Sequence, residues 1–297
     1  MPFPRPSLLS ALRALPTALA VGCGGAPLDS AGTAPGAWAP EVGDDDAAPP
    51  LDAAATARAV REAFLAARYW SAAPVFDLWE QAMAHADAEC PGETRAGPLR
   101  AWVAECTTAA GAHYSGYGYL EEPPGGFARA WWGSARVTTP EGTPLRLGGR
   151  AELQQEPGTS LPALSVVHGT FAGAVADTGE AWVGEGLAVD LELRRARDAM
   201  GTASLELRGG ASGLALAEGA RTAVQFDARL DRPPPGRTPE PSGRVSLRDP
   251  AGRWVDVIFQ APALPDPAAP VEAYDGCGTV EDRPVCVDVS GVLEEAW

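Results

Sequence analysis

The chain has 297 residues, 45% of them apolar, enough for a substantial core and too many for a globally disordered protein. Its 39 acids and 23 bases leave a formal net charge of −16, which argues against a nucleic-acid partner and against electrostatic docking on anionic lipid. Lysine is absent, and that excludes Schiff-base enzymes, P-loop nucleotide sites and Ser-Lys dyads.

The first 13 residues carry Arg5 and Arg13 and no acid. An apolar stretch from Ala14 to Val21 follows, then Gly22-Cys23-Gly24-Gly25. That order of basic region, apolar region and small residues is the order of a secretory signal. The apolar run is too short to cross a bilayer, which takes about 20 residues. Leu19-Ala20-Val21-Gly22-Cys23 resembles the lipobox of bacterial lipoproteins. The resemblance implies a signal peptide over residues 1–22 and a lipid anchor on Cys23. It also implies outer-membrane delivery, facing periplasm or cell surface, because Gly24 supplies no acidic retention signal. Ala20 departs from the class, which has Leu, Val or Ile there, and Pro16 interrupts the apolar run. An ordinary cleaved signal with a free Cys23 is the competing reading.

Residues 23–52 are rich in Gly, Ala, Pro and Asp, including Asp44-Asp45-Asp46 and Pro49-Pro50. Such a segment cannot bury enough surface to offset its chain entropy, so a flexible, lipid-anchored tether is expected. A single β-rich domain is expected over 53–297. It opens with Val60, Phe64 and Ala67 at helical spacing, then Ser71, Pro74 and a stripe of Val75, Leu78, Trp79, Ala82, Met83 and Ala86. These predict helices over 53–70 and 73–88, with Cys90-Pro91-Gly92 ending the pair.

Beyond about residue 110 the apolar period changes from 3.6 to 2. Leu145, Leu147, Ala151 and Leu153 alternate with polar neighbours, as do Leu187, Val189, Leu191 and Leu193. The same alternation runs through Leu205 and Leu207, through Val224, Phe226 and Leu230, and through Val245 and Leu247. Further strands are predicted near 112–120, 127–139, 163–175, 253–260 and 284–292. Pro140-Glu-Gly142 and Asp249-Pro-Ala-Gly252 read as hairpin turns, and Arg232 to Pro241 as a surface loop. The chain is therefore mainly β, with some α: two N-terminal helices and about ten antiparallel strands, each with one buried face. Helices pack about 10 Å apart and strands about 4.8 Å apart, so two helices cover about four strands. The remainder must curl, which favours a curved sheet, open barrel or clam over a two-layer sandwich.

Apart from Cys23, the cysteines are Cys90, Cys106, Cys277 and Cys286. Four cysteines in an exported chain read as two disulfides in one of three pairings, and local closure favours Cys90–Cys106 and Cys277–Cys286. A zinc site from His85, Cys90, Cys106 and His113 is the rival, but these spacings match no compact zinc module, so no metal and no cofactor is expected. The run Ala273-Tyr-Asp-Gly-Cys-Gly278 with Pro284-Val-Cys-Val-Asp288 resembles the tail of envelope lipoproteins from high-G+C Gram-negative bacteria. Cys106-Thr-Thr-Ala-Ala-Gly111 leading into Tyr114-Ser-Gly-Tyr-Gly-Tyr119 shares that resemblance, which implies no particular activity.

No HExxH or Gly-x-Ser-x-Gly motif is present. His85 near a helix end, and His113 and His168 in strand-like segments, read as structural. Glu121 and Glu122 are adjacent and precede Pro123-Pro124, as in a solvated turn, and Asp275 and Asp288 are too scattered for a calcium site. The aromatics are the best lead. Tyr117 and Tyr119 share a strand face, Trp131 and Trp132 follow on the next strand, and such platforms stack on sugars or line apolar pockets. The expectation is a non-enzymatic envelope lipoprotein, structural or binding, with no catalytic residue; its partner is an envelope protein, a glycan or an apolar ligand. A carrier holding an apolar ligand in the sheet's concavity and an envelope hydrolase are the alternatives.

Overall fold

The structure is a computed structural model that describes residues 52–155, 162–174, 181–183, 187–197, 203–231, 240–260, 276–289 and 292. The signal, Cys23, the tether up to residue 51, Asp275 and most of the Pro-rich loop lie outside the described residues. Helix α1 spans Ala53–Ala66 and α2 spans Ala72–Met83, with a 3-10 turn at Ala67–Trp70 between them. Asp52 caps α1 by accepting from the Ala55 N–H at 2.9 Å. Helix α2 borrows a cap from the sheet, where the Ser165 hydroxyl accepts from the Ala72 N–H at 2.7 Å.

The strands are β1 (Thr94–Ala96), β2 (Leu99–Thr107), β3 (His113–Glu121), β4 (Ala128–Thr138), β5 (Pro144–Gln155), β6 (Pro162–Ala174) and β7 (Ala181–Val183). They continue as β8 (Ala188–Arg197), β9 (Ala203–Leu216), β10 (Arg221–Asp231), β11 (Glu240–Arg248), β12 (Trp254–Phe259), β13 (Gly276–Val280) and β14 (Arg283–Val287). All pair antiparallel in chain order, except that β8 lies beside β6 and the short β7 pairs with β6 alone. β1 and β14 stand at opposite ends of that order, so the sheet does not close.

The helices show why this sheet must roll. Helix α2 packs on β4, β5 and β6, while α1 packs on β9, β11 and β14. Five strand steps separate β9 from β14, about 24 Å if flat, whereas a helix is about 10–12 Å across. Contact of α1 with strands this far apart in the order fits a sheet that curves around the helix. The buried side chains of both helices and of the sheet's inner face form one continuous core. Mainly β with a curved, open antiparallel sheet is thus the architecture, and the strands among the described residues lie in one sheet rather than in two layers of a sandwich.

Among the described residues there are fourteen strands where about ten were expected. β1 and β7 are three residues each, too short to show a period. β2 was missed because its alternation is inverted. Val103 faces out at 73% exposure, while Arg100 lies on the inner side opposite Leu120, ion-paired with Glu93, Glu80 and Glu122. β13 lies outside the predicted strands and forms a hairpin with β14 in which Cys277 sits directly opposite Cys286. The last strand ends at Val287 rather than 292. Helix α2 stops at Met83 rather than 88 because the Asp87 carboxylate takes over the backbone, accepting from the N–H groups of Glu89, Cys90 and Ala109. Those bonds hold the Asp87 carboxyl below the usual aspartate range.

The disulfides are Cys90–Cys106 and Cys277–Cys286. The first ties the end of α2 to β2 across 16 residues, and the second staples a hairpin across 9. Chain entropy makes them worth about 3 and about 2.5 kcal/mol respectively. The hairpin keeps its ladder without its bridge, whereas the Cys90–Cys106 bridge closes the longer loop and joins a helix end to a strand. The pair Cys90→Ser/Cys106→Ser is therefore expected to lower the urea midpoint more than Cys277→Ser/Cys286→Ser. The reverse order would show that the N-terminal bridge is not what holds the helices to the sheet.

Candidate binding surface on the outer face

Along β3, Tyr114, Gly116, Gly118 and Leu120 face inward, and Ser115, Tyr117, Tyr119 and Glu121 face outward. Inside, the Tyr114 hydroxyl donates to the Ala82 carbonyl at the end of α2. Burial, with the nearby Asp87 charge, pushes that hydroxyl's pKa up to about 12. Outside, the rings of Tyr117 and Tyr119 lie 5.8 Å apart. Trp132 on β4 is directly opposite Tyr119 and stacks on it, with centroids 5.4 Å apart and planes 11° apart. Val103 on β2 is opposite Tyr117 and extends the same strip. Tyr117 is 40% and Trp132 37% exposed, an unusual cost for rings this large.

Trp131 does not belong to this strip. It is fully buried, edge-on to Phe171 at 5.9 Å, because adjacent strand residues point to opposite faces. The four aromatics expected to lie together therefore divide into a surface trio and a core residue.

The next positions outward from Trp132 are polar. Arg150 on β5 is opposite Trp132, His168 on β6 is opposite Arg150, and Asp190 on β8 is opposite His168. His168 Nδ1 lies 3.3 Å from Asp190 Oδ1. His113 meets the Thr107 hydroxyl at 3.1 Å and Glu105 at 3.4 Å, both on β2. That hydroxyl–imidazole–carboxylate order resembles a nucleophile relay, but Glu105 is 76% exposed, so water screens the pair. His85 lies just beyond α2 and donates its backbone N–H to the Ala82 carbonyl.

Glu121 and Glu122 part company, Glu121 on the outer face of β3 and Glu122 bound to Arg129 at 2.7 Å. Arg129 also lies 4.5 Å over the Phe76 ring, so this charged cluster serves to clamp α2 to the rim of the sheet. Within it, burial disfavours the Glu93 charge, but Arg100 and Arg95 outweigh that and hold its carboxyl below the usual glutamate range. Asp288 pairs with Arg61 of α1 at 3.5 Å. Among the described residues, no group of three or more His, Cys, Asp or Glu side chains comes together that could hold a metal ion.

Sequence reasoning missed a second feature of this surface. Arg136 on β4 and Arg146 on β5 lie directly opposite one another on the outer face, two rows from Trp132 and Arg150. The signal was there in the outward positions of both strands, but the pairing register is needed to see that like charges meet. Comparison with protein-family models, with curated proteins and with solved structures returns no match to this chain.

Proposed function

We propose that the chain is a non-enzymatic cell-envelope lipoprotein, anchored in the outer membrane through Cys23, whose β-rich domain is a binding module using its outer face. One observation carries this reading. The protein's own helices occupy the inner face of the curved sheet, while the outer face carries exposed Val103, Tyr117 and Trp132 around a half-buried Tyr119. Exposed contiguous apolar surface marks interaction sites. The same packing counts against a carrier of apolar ligands, because α1 and α2 fill the concavity such a ligand would need. The two disulfides are consistent with an oxidising compartment. Among the described residues, the hydrolase alternative has only the water-exposed Thr107–His113–Glu105 arrangement to support it.

Growth of the expressing cell on labelled palmitate tests the anchor. Label is expected on the full chain and absent from Cys23→Ser, with the wild type in the membrane fraction and the variant released. Equal labelling of both, or none on either, would overturn the lipoprotein reading.

A further inference from the structure

The outer face of β4 and β5 is charged against the trend of the molecule. The chain carries a net charge of −16, yet Arg136, Arg146 and Arg150 stand here without an ion pair or hydrogen bond to any described residue. Farther round the sheet, outward arginines have acids beside them: Arg194 pairs with Glu192, Arg229 with Glu206 and Asp231, and Arg244 with Asp256, while Arg208 stands in register between Glu192 and Asp227. Like charges directly opposite on neighbouring strands destabilise a sheet, so the Arg136–Arg146 pair costs the fold something. Cations left unpaired at a cost, beside exposed aromatics, are what a site for an anion looks like.

The register gives the patch a layout. One row runs Tyr119, Trp132, Arg150 across the strands. Four residues along, about 13 Å away, the opposed pair Arg136 and Arg146 forms another. Between them the floor is Ser134, Gly148 and Thr170, all small, and a Cβ on Gly148 would meet the Thr170 hydroxyl at 3.2 Å. The result is a low strip with hydroxyls on its floor, cations on both sides and rings at one side.

We infer that this strip binds a carboxylate-bearing glycan, its sugars lying against Trp132 and Tyr119 and its carboxylates taken by Arg150 on one side and Arg136 and Arg146 on the other. The inference rests on the binding-module reading above and supplies its ligand class. An acidic peptide would offer the same carboxylates, but a sheet's face has its backbone groups already paired in the ladder and gives an extended peptide no strand to join. A sugar chain needs none, since its CH faces pack on rings and its hydroxyls and carboxylates meet side chains.

Affinity electrophoresis of the full chain in detergent tests this, with polygalacturonate, neutral dextran or polyglutamate cast in the gel. Retardation is expected in polygalacturonate and not in the other two, and it should weaken as salt rises. R136Q/R146Q/R150Q and, separately, W132A should each weaken it by about tenfold or more, the scale of one charge-assisted hydrogen bond. Both variants should stay folded, and Arg136→Gln should leave Tm unchanged or raised, because it relieves a like-charge contact. Retardation by dextran that needs Trp132 and not the arginines would sink the carboxylate assignment while leaving the binding surface standing. Equal retardation by polyglutamate or by poly(dT) would reduce the patch to a general anion binder and overturn the glycan. No retardation by any polymer would overturn the inference, independently of the palmitate result at Cys23.

Discussion

Gly149→Ala is expected to destabilise the domain by about 4 kcal/mol, although it adds one methyl group to a strand. Gly149 has φ +122°, a conformation side-chain-bearing residues rarely adopt. A Cβ there would lie 2.0 Å from the His168 carbonyl oxygen and 2.7 Å from the Gly169 Cα. Both atoms are backbone of the neighbouring strand, so nothing can swing aside; β5 and β6 would have to part. Backbone strain of about 1–3 kcal/mol adds to overpacking of about 1–3 kcal/mol. Gly142, in the β4–β5 turn with φ +85° and no atom within 4 Å of its Cβ position, is the control. Gly142→Ala bears only the strain and should cost about 1 kcal/mol. Urea unfolding of both variants decides the matter, and equal losses would show that the close approach of β5 to β6 is not what the glycine serves.

Gly149 is one of four glycines that line up across the inner face. Gly118, Gly133, Gly149 and Gly169 are consecutive partners on β3, β4, β5 and β6. Removing four consecutive side chains from one row lets the strands bend there, which is how a meander wraps a helix instead of lying flat. The sequence made most of these strands legible, because buried leucines and valines alternate with arginine and glutamate wherever one face is wet. It did not make the row legible. A glycine in a strand pattern signals close approach, but which glycines face each other depends on register across three pairings.

The same limit explains the binding surface. A period of 2 puts Tyr117 and Tyr119 on one face, whereas grouping Trp131 with Trp132 by chemical kind runs against that same period. The arginine patch was hidden by averaging: a net charge of −16 describes the whole chain and not one face of β4 and β5. The helix pair was readable from its stripe, and only the sheet's curvature decided that it would fill the concavity rather than cover one edge.

Trp79→Ala tests that filling directly and should cost about 3–5 kcal/mol, as large aromatic deletions in cores do. Trp79 is fully buried on α2, its ring 6.2 Å from that of Trp102 and inclined by 23°. Its indole N–H finds no acceptor among the described residues, so its contribution is packing and not a hydrogen bond. Across the interface Gly118 makes room for it, since a Cβ there would lie 2.4 Å from Trp79 Cζ3. That complementarity can be measured as a coupling. Gly118→Ala alone should cost about 1–3 kcal/mol by overpacking, because the ring it strikes is itself held by Trp102. In the Trp79→Ala background the added methyl enters vacated space, and its cost should fall to nearly nothing. The double variant should thus be more stable than the sum of the singles predicts by about 1–2 kcal/mol, well beyond the 0.3–0.5 kcal/mol within which independent sites add. Strict additivity would mean that the ring and the glycine do not meet, and that α2 does not fill the curve of the sheet.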